Sequence, residues 1–326
     1  MDRIRAVMLG HAVADALGVP VEFKSREELR CDPVSDMRGY GTYCVPAGSW
    51  SDDTSMALAA LDSLKDGEIR YSEIMDNFAA WMERGEYTPD GNTFDMGGIC
   101  RDAILAYRNG TSPTRCGPRG EFSNGNGALM RIHPFSLLMY FTGRANGTGI
   151  ELIHSASSLT HGHERSLLAS GIYSFVLWEL LDSPCKASVI KGLAKAREYY
   201  SASAELSVYE DRLFRKIGGL GCGSYTVQTP CKSIGIDEIR STGYVVDTLE
   251  AAIFCLLTTE SYAQCVLKAV NLGSDTDTVA AVAGGLAGAM YGCGAIPKEW
   301  LTTLRARDRI ESLCSIAADS WSKAAG

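Results

Sequence analysis

Apolar residues recur three or four positions apart along most of the chain, and this period constrains the fold more than any other feature. Met56, Ala60 and Leu64 form one such set, and Leu168, Ile172 and Phe175 another. Val246, Leu249, Ile253 and Leu256 repeat the pattern, as do Val279, Val282, Leu286 and Met290. At 3.6 residues per turn each set lies on one face of a helix, which must bury that face against a neighbour. The alternation a half-buried strand needs is scarce; Tyr225-Thr226-Val227-Gln228 is only faintly strand-like. The pattern predicts an all-α multi-helix bundle. Gly and Pro cluster in 32–48, 87–98, 110–127 and 217–223, connections long enough to carry function. With no linker, tandem repeat or change in composition, the 326 residues read as one domain, 1–326, with ample chain for a core.

Charge narrows the partners. Lys and Arg total 31 against 39 Asp and Glu, for a net charge of -8, which argues against nucleic acid as principal partner. An anionic substrate would need local positive potential from metal ions or backbone N–H groups. The 11 cysteines are odd in number and contain no Cys-x-x-Cys pair, as expected of free thiols in a reducing cytoplasm. Cys222, between two glycines, reads as a buried or loop thiol. Two stretches imitate membrane segments. Arg3 and Arg5 precede an apolar run that ends in Ala12-Val13-Ala14, but Gly10, His11 and Asp15 interrupt it, which argues against a signal peptide. The uncharged stretch 279–296 is rich in Ala and Gly, which gain little from lipid and allow close helix approach, so a buried core helix is expected and no membrane partner.

Two segments carry the densest chemistry. Gly48-Ser49-Trp50-Ser51-Asp52-Asp53-Thr54 opens the helix of Met56, Ala60 and Leu64, and Gly273-Ser274-Asp275-Thr276-Asp277-Thr278 opens another apolar helix. Helix capping explains one such segment, because Ser or Asp at a helix start accepts from free N–H groups beside the positive end of the dipole. It explains two less well, since one acceptor caps a helix and each segment brings a hydroxyl and two carboxylates. Four converging carboxylates would raise one another's pKa unless hard divalent ions such as Mg²⁺ or Mn²⁺ relieved the repulsion. Two unrelated capped helices far apart remain the alternative.

Single residues elsewhere stand out. Glu22 lies between apolar neighbours just after Gly18 and Pro20; Asp95 precedes a helix, as an N-cap or as a catalytic carboxylate. His161 and His163 sit at a helix start, either structurally or with His161 donating to a phosphate or ribose, and their spacing does not suit zinc. Ser123-Asn124-Gly125-Asn126-Gly127 is a plain turn or a loop whose N–H groups can face a phosphate; it lacks the ending of a P-loop.

Together these segments resemble the ADP-ribosylglycohydrolase family over nearly the whole chain. Trp50-Ser51-Asp52-Asp53-Thr54 and Ser274-Asp275-Thr276-Asp277-Thr278 are the most specific parts. Asp15-Ala16-Leu17-Gly18, Gly125-Asn126-Gly127-Ala128-Leu129-Met130-Arg131, Leu159-Thr160-His161 and the stretch from Gly243 to Glu250 support them. The resemblance implies an orthogonal all-α bundle with two divalent cations, Mg²⁺ or Mn²⁺, held by Ser51, Asp52, Asp53, Asp275, Asp277 and Thr278. Ser51 stands where Thr is commoner, Ser274 where Gly is frequent and Glu164 where Pro often follows the His motif. The implied reaction cleaves the bond at ribose C1″ of an ADP-ribosylated protein or small acceptor by a monomeric enzyme. Asp95 is the first choice for the acid/base and Glu22 the second. Tyr244 would pack on the ribose or adenine, His161 would contact the pyrophosphate, Ser123, Asn124, Gly125 and Asn126 would cradle the phosphates, and Ser274 would contact substrate. Arginine-linked ADP-ribose is the expected substrate. Serine-linked ADP-ribose, O-acetyl-ADP-ribose, ADP-ribosylguanidine, binding without turnover and attack on the pyrophosphate are the alternatives.

Overall fold

The first helix of the chain is built to be enclosed. In α1 (Asp2–Gly18) every residue from Ala6 to Gly18 is buried, so its apolar positions run round the whole cylinder. By length and composition it could cross a bilayer, but 94% of its most apolar window is buried inside the protein. The computed structural model describes residues 2–214 and 235–324; the run 225–228, Cys222 and the connection 217–223 lie outside them. Among the described residues all regular structure is helical, as the period predicts, with two isolated antiparallel bridges, Tyr40 to Val45 and Gly125 to Tyr244.

After α1 come α2 (Arg26–Cys31), α3 (Asp52–Leu64), α4 (Tyr71–Arg84), α5 (Gly98–Arg108), α6 (His133–Phe141), α7 (Gly147–Ser157) and α8 (Glu164–Asp182). The second half holds α9 (Lys186–Tyr199), α10 (Leu206–Tyr209), α11 (Val245–Leu257), α12 (Tyr262–Val270), α13 (Thr276–Tyr291), α14 (Lys298–Thr303) and α15 (Arg307–Ala324). Helices buried all round, α1, α3, α8, α11 and α13, make the centre. Amphipathic helices cover them: α12 buries Tyr262, Cys265, Val266, Ala269 and Val270, one stripe at helical spacing. The nine described cysteines are all free.

The Ala- and Gly-rich α13 packs along α1 more extensively than any other pair of helices. Their backbones touch at glycines: a Cβ on Gly284 would lie 2.4 Å from the carbonyl oxygen of Gly10, and one on Gly288 2.0 Å from that of Ala6. That contact places the C-terminal end of α1 against the N-terminal end of α13, where the Thr276 hydroxyl donates to the carbonyl of Gly18 at 2.8 Å. The start of α3 joins the same place. There the carboxylate of Asp15 accepts from Ser51 N at 3.0 Å, Thr54 N at 3.1 Å and the Thr54 hydroxyl at 2.6 Å.

Candidate active site

Two helix N-termini and two loops meet at these helix ends. Ser51 is the N-cap of α3, its hydroxyl accepting from Asp53 N, so capping accounts for the hydroxyl. It leaves the carboxylates unexplained. Asp53 Oδ2 accepts from the Ser51 hydroxyl at 2.9 Å and, across to α13, from the Thr278 hydroxyl at 3.2 Å. The two acidic segments are therefore side by side, and two separate capped helices are excluded. Asp275 occupies the N-cap position of α13 without capping it through its side chain; its Oδ2 accepts from the Asn126 amide at 2.7 Å.

Carboxylate oxygens of Asp15, Asp53 and Asp277 lie within 4.8 Å of one another, and so do those of Glu22, Asp95 and Asp277. Asp277 belongs to both groups. Asp53 Oδ1, Asp275 Oδ1 and Asp277 Oδ2 are buried without a hydrogen-bond partner. Burial pushes the carboxyls of Asp52, Asp53 and Asp277 well above the usual range, and the acidic neighbours Asp95, Asp15 and Glu22 respectively add to it. Buried carboxylate oxygens facing one another with no donor fit hard divalent cations bound by oxygen, and each three-carboxylate group could hold one. Asp52 is buried beside them, and Ser51 and Thr278 add hydroxyl oxygens.

Glu22 and Asp95 face each other across a third side chain. Glu22 is buried directly after the 3₁₀ turn Val19–Val21. Asp95 does not cap α5, whose N-cap is Gly97; it adopts φ 53°, a left-handed conformation costly to a non-glycine residue. Between them stands Tyr43, its hydroxyl oxygen 2.6 Å from Glu22 Oε2 and 2.7 Å from Asp95 Oδ1. One hydroxyl has one proton to give, so one of the two carboxyls must be protonated for both contacts to be hydrogen bonds. Burial and the charge of Asp95 push Glu22 up to about 9, which makes Glu22 the protonated member. The same burial and the two carboxylates push the Tyr43 phenol far above its ordinary range.

The glycine loop closes a further side. Asn126 N donates to Gly243 O and Val245 N to Asn124 O, which pairs the loop with the start of α11 next to half-buried Tyr244. Ser123 and Gly125 are part-exposed in this loop. Asn124 is buried and its amide donates to Glu121 O, so its side chain serves the loop's own shape. His161 lies under the loop: a Cβ on Gly127 would come within 2.9 Å of its ring. Desolvation, with the nearby Arg131, holds the imidazole down to about 3, so it is neutral. Ser274 adopts φ 67°, a region that favours glycine, and exchanges backbone hydrogen bonds with Phe23 and Lys24, tying the Glu22 segment to α13.

Sequence reasoning gave no role to Asp15, Tyr43 or Arg131. Asp15, a fully buried carboxylate, organises the α3 N-terminus. Fully buried Arg131 donates to Ala156 O and the Thr160 hydroxyl beside His161. For Asp15 a signal existed, a carboxylate inside the apolar stretch of α1. Tyr43 carried none beyond its place in a long loop.

Comparison with known proteins identifies the family. The ADP-ribosylarginine hydrolase Tri1 of Serratia proteamaculans is 32% identical over 315 residues, covering 96% of this chain and 78% of that protein. The ADP-ribosyl-(dinitrogen reductase) glycohydrolase of Rhodospirillum rubrum is 29% identical, covering 97% of both chains. A solved structure described as an ADP-ribosylglycohydrolase-related protein complex superposes with a TM-score of 0.77 at 29% identity, covering 100% of this chain and 98% of that one. With residues 1–325 matching the ADP-ribosylglycohydrolase family as a whole, the chain belongs to that family of hydrolases.

Proposed function

We propose that this protein is a metal-dependent ADP-ribosylhydrolase that cleaves the glycosidic bond at ribose C1″ of ADP-ribosylarginine and releases ADP-ribose. The observation that carries the metal dependence is the pair of carboxylate groups sharing Asp277, with buried, orphaned oxygens on Asp53, Asp275 and Asp277. Two divalent cations, Mg²⁺ or Mn²⁺, would be held by Ser51, Asp52, Asp53, Asp275, Asp277 and Thr278. When bound they supply positive charge that fixes ribose hydroxyls and a water near the reacting carbon. The linkage follows the relative named an ADP-ribosylarginine hydrolase, which matches 96% of the chain. Residues 1–326 act as one domain.

The chain's own residues do the rest. The loop 123–127 offers N–H groups to the pyrophosphate, and Asn126, bonded to Asp275, sets its distance from the carboxylates. Neutral His161 supports that loop from below, Tyr244 packs on the sugar or base, and Ser274 holds the Glu22 segment at the substrate's edge. As the C1″ bond breaks, positive charge develops on the ribose, and the surrounding carboxylates favour it. Asp95 exchanges the proton with water or the leaving guanidine, with Glu22 as its protonated neighbour.

The test is a parallel assay on arginine-modified and serine-modified peptides, each with Mg²⁺ or Mn²⁺ and with EDTA. Free ADP-ribose from the arginine peptide, abolished by EDTA, is the expected result. Release from the serine peptide alone overturns the linkage, AMP as product overturns glycosidic cleavage, and a rise in Tm with ADP-ribose but no turnover of either peptide overturns catalysis.

A further inference from the structure

Tyr43 meets both candidate acid/base residues, and a second contact beside each anchors it there. On one side its hydroxyl meets the Glu22 carboxyl, while the hydroxyl of the preceding Thr42 donates to the Glu22 carbonyl at 2.8 Å. On the other its hydroxyl meets the Asp95 carboxyl while its ring packs on Phe94, centroids 4.9 Å apart. The turn Gly41–Tyr43 that presents it is pressed onto the segment leading to Glu22, since a Cβ on Gly41 would lie 1.9 Å from Pro20 O. Among the described residues Tyr43 is the one side chain hydrogen-bonded to both carboxyls.

We propose that Tyr43 is a positioning residue for the reaction: its hydroxyl ties Glu22 to Asp95 and fixes the direction from which Asp95 meets the substrate. The need for such a tie is physical. Asp95 is held at φ 53° in an irregular segment, and a conformation of that kind persists only where its surroundings over-determine it. Glu22 and Asp95 also meet each other directly, and a hydroxyl that contacts both restricts the pair to one relative orientation. A phenol hydroxyl donates to one and accepts from the other, and the rigid ring that carries it moves about only two rotatable bonds. Phenylalanine would keep the packing on Phe94 and lose the tie.

This inference rests on the proposed glycohydrolase reading, and the experiment separates the two. Wild-type protein, Tyr43→Phe, Asp95→Asn and the double variant are compared on whichever modified peptide the wild type turns over, with kcat and KM measured separately and the Tm of each recorded. Tyr43→Phe is expected to lower kcat by between about 10- and 100-fold, as displacement of a reacting group does, with KM within about twofold and an unchanged Tm. In the Asp95→Asn background the same substitution should cost less than about threefold, because the two act through one contact. A Tyr43→Phe kcat equal to wild type, or full multiplicativity in the double variant, overturns the inference while leaving the glycohydrolase reading intact. A wild type that releases no ADP-ribose from any peptide overturns the reading itself and the inference with it. If Tyr43→Leu lowers Tm where Tyr43→Phe does not, the ring and hydroxyl roles are separated as expected; an equal fall in both assigns the residue to packing alone and overturns the inference.

Discussion

Gly18→Ala tests whether the α1 to α13 contact sets the geometry of the site. Gly18 has φ -80° and ψ -38°, ordinary helical values that alanine adopts freely, so backbone conformation gives no reason for glycine here. Space does. A Cβ at Gly18 would lie 2.3 Å from Asp277 Cα, 2.5 Å from Asp277 N and 2.6 Å from the carbonyl carbon of Thr276, all backbone atoms that cannot rotate aside. Ordinary contact begins near 3.4 Å, so the start of α13 must retreat by about 1 Å, taking with it the carboxylate common to both groups. A displacement of about 1 Å in an active site costs roughly 100-fold in rate. Stability should change far less, because overpacking costs about 1–3 kcal/mol while alanine gains about 1 kcal/mol over glycine in a helix. For a chain of this length 1 kcal/mol corresponds to about 1.5 °C in Tm. The assay is release of free ADP-ribose with saturating metal, beside a thermal melt and a Gly294→Ala control, where nothing lies within 4 Å of the new Cβ. A Gly18→Ala kcat/KM within about twofold of wild type refutes the argument.

Three further outcomes follow from the site. Mg²⁺ or Mn²⁺ at about 100-fold over Kd should stabilise the protein by about 2.7 kcal/mol per ion, roughly 8 °C for two. Asp277→Asn should lose that gain yet melt no lower than wild type in EDTA, since an amide is buried there without the proton uptake that burial forces on the carboxyl; an undiminished metal response contradicts the assignment. Asp95→Asn should lower kcat by about 10²- to 10⁴-fold while binding of ADP-ribose, read by calorimetry, persists; activity near wild type removes Asp95 from the reaction. His161 titrates near 3 in the fold against about 6.5 unfolded, so between those values the unfolded chain binds the extra proton. Its contribution is complete above about pH 6.5 and falls by about 2 kcal/mol on acidifying from pH 7 to 5. His161→Gln should reduce the pH dependence of the unfolding free energy from urea melts by that amount, and an unchanged dependence contradicts it.

The helices were readable because burial imposes a period on sequence, and α3, α8, α11 and α13 contain the sets that define it. The paired acidic segments were readable for a related reason, since capping accounts for one acceptor at a helix start and leaves the second carboxylate over. The convergence was not. Nothing local brings Asp53 within reach of Thr278, 225 positions away; the backbone contact of Gly10 with Gly284 and the bonds of Asp15 to the start of α3 do, and glycine spacing alone does not name its partner. Tyr43 escaped notice because a tyrosine in a loop has no period and no motif. Its meaning lies in the carboxyls of Glu22 and Asp95, which reach it from opposite directions along the chain. Asn124 shows the converse, a loop asparagine that reads as a ligand contact while its amide is engaged within the loop.

The site also has an energetic logic. Two helix N-termini favour negative charge, and hydrogen bonds from Ser51, Thr278 and Asn126 satisfy part of the carboxylate set. Three buried oxygens on Asp53, Asp275 and Asp277 stay unsatisfied, at about 1–3 kcal/mol each. The surrounding fold holds them there, because α1, α3 and α13 are locked by apolar burial and glycine contact. A cation that enters therefore finds oxygen ligands already assembled, and it takes the place of the protons that burial and crowding otherwise keep on them. Neutral ligands gain nothing comparable, which makes the site selective for positive charge before any substrate arrives. Weakening the lock at Gly18 and removing the buried carboxyl of Asp277 should then act oppositely on the metal-free protein and alike on its response to metal.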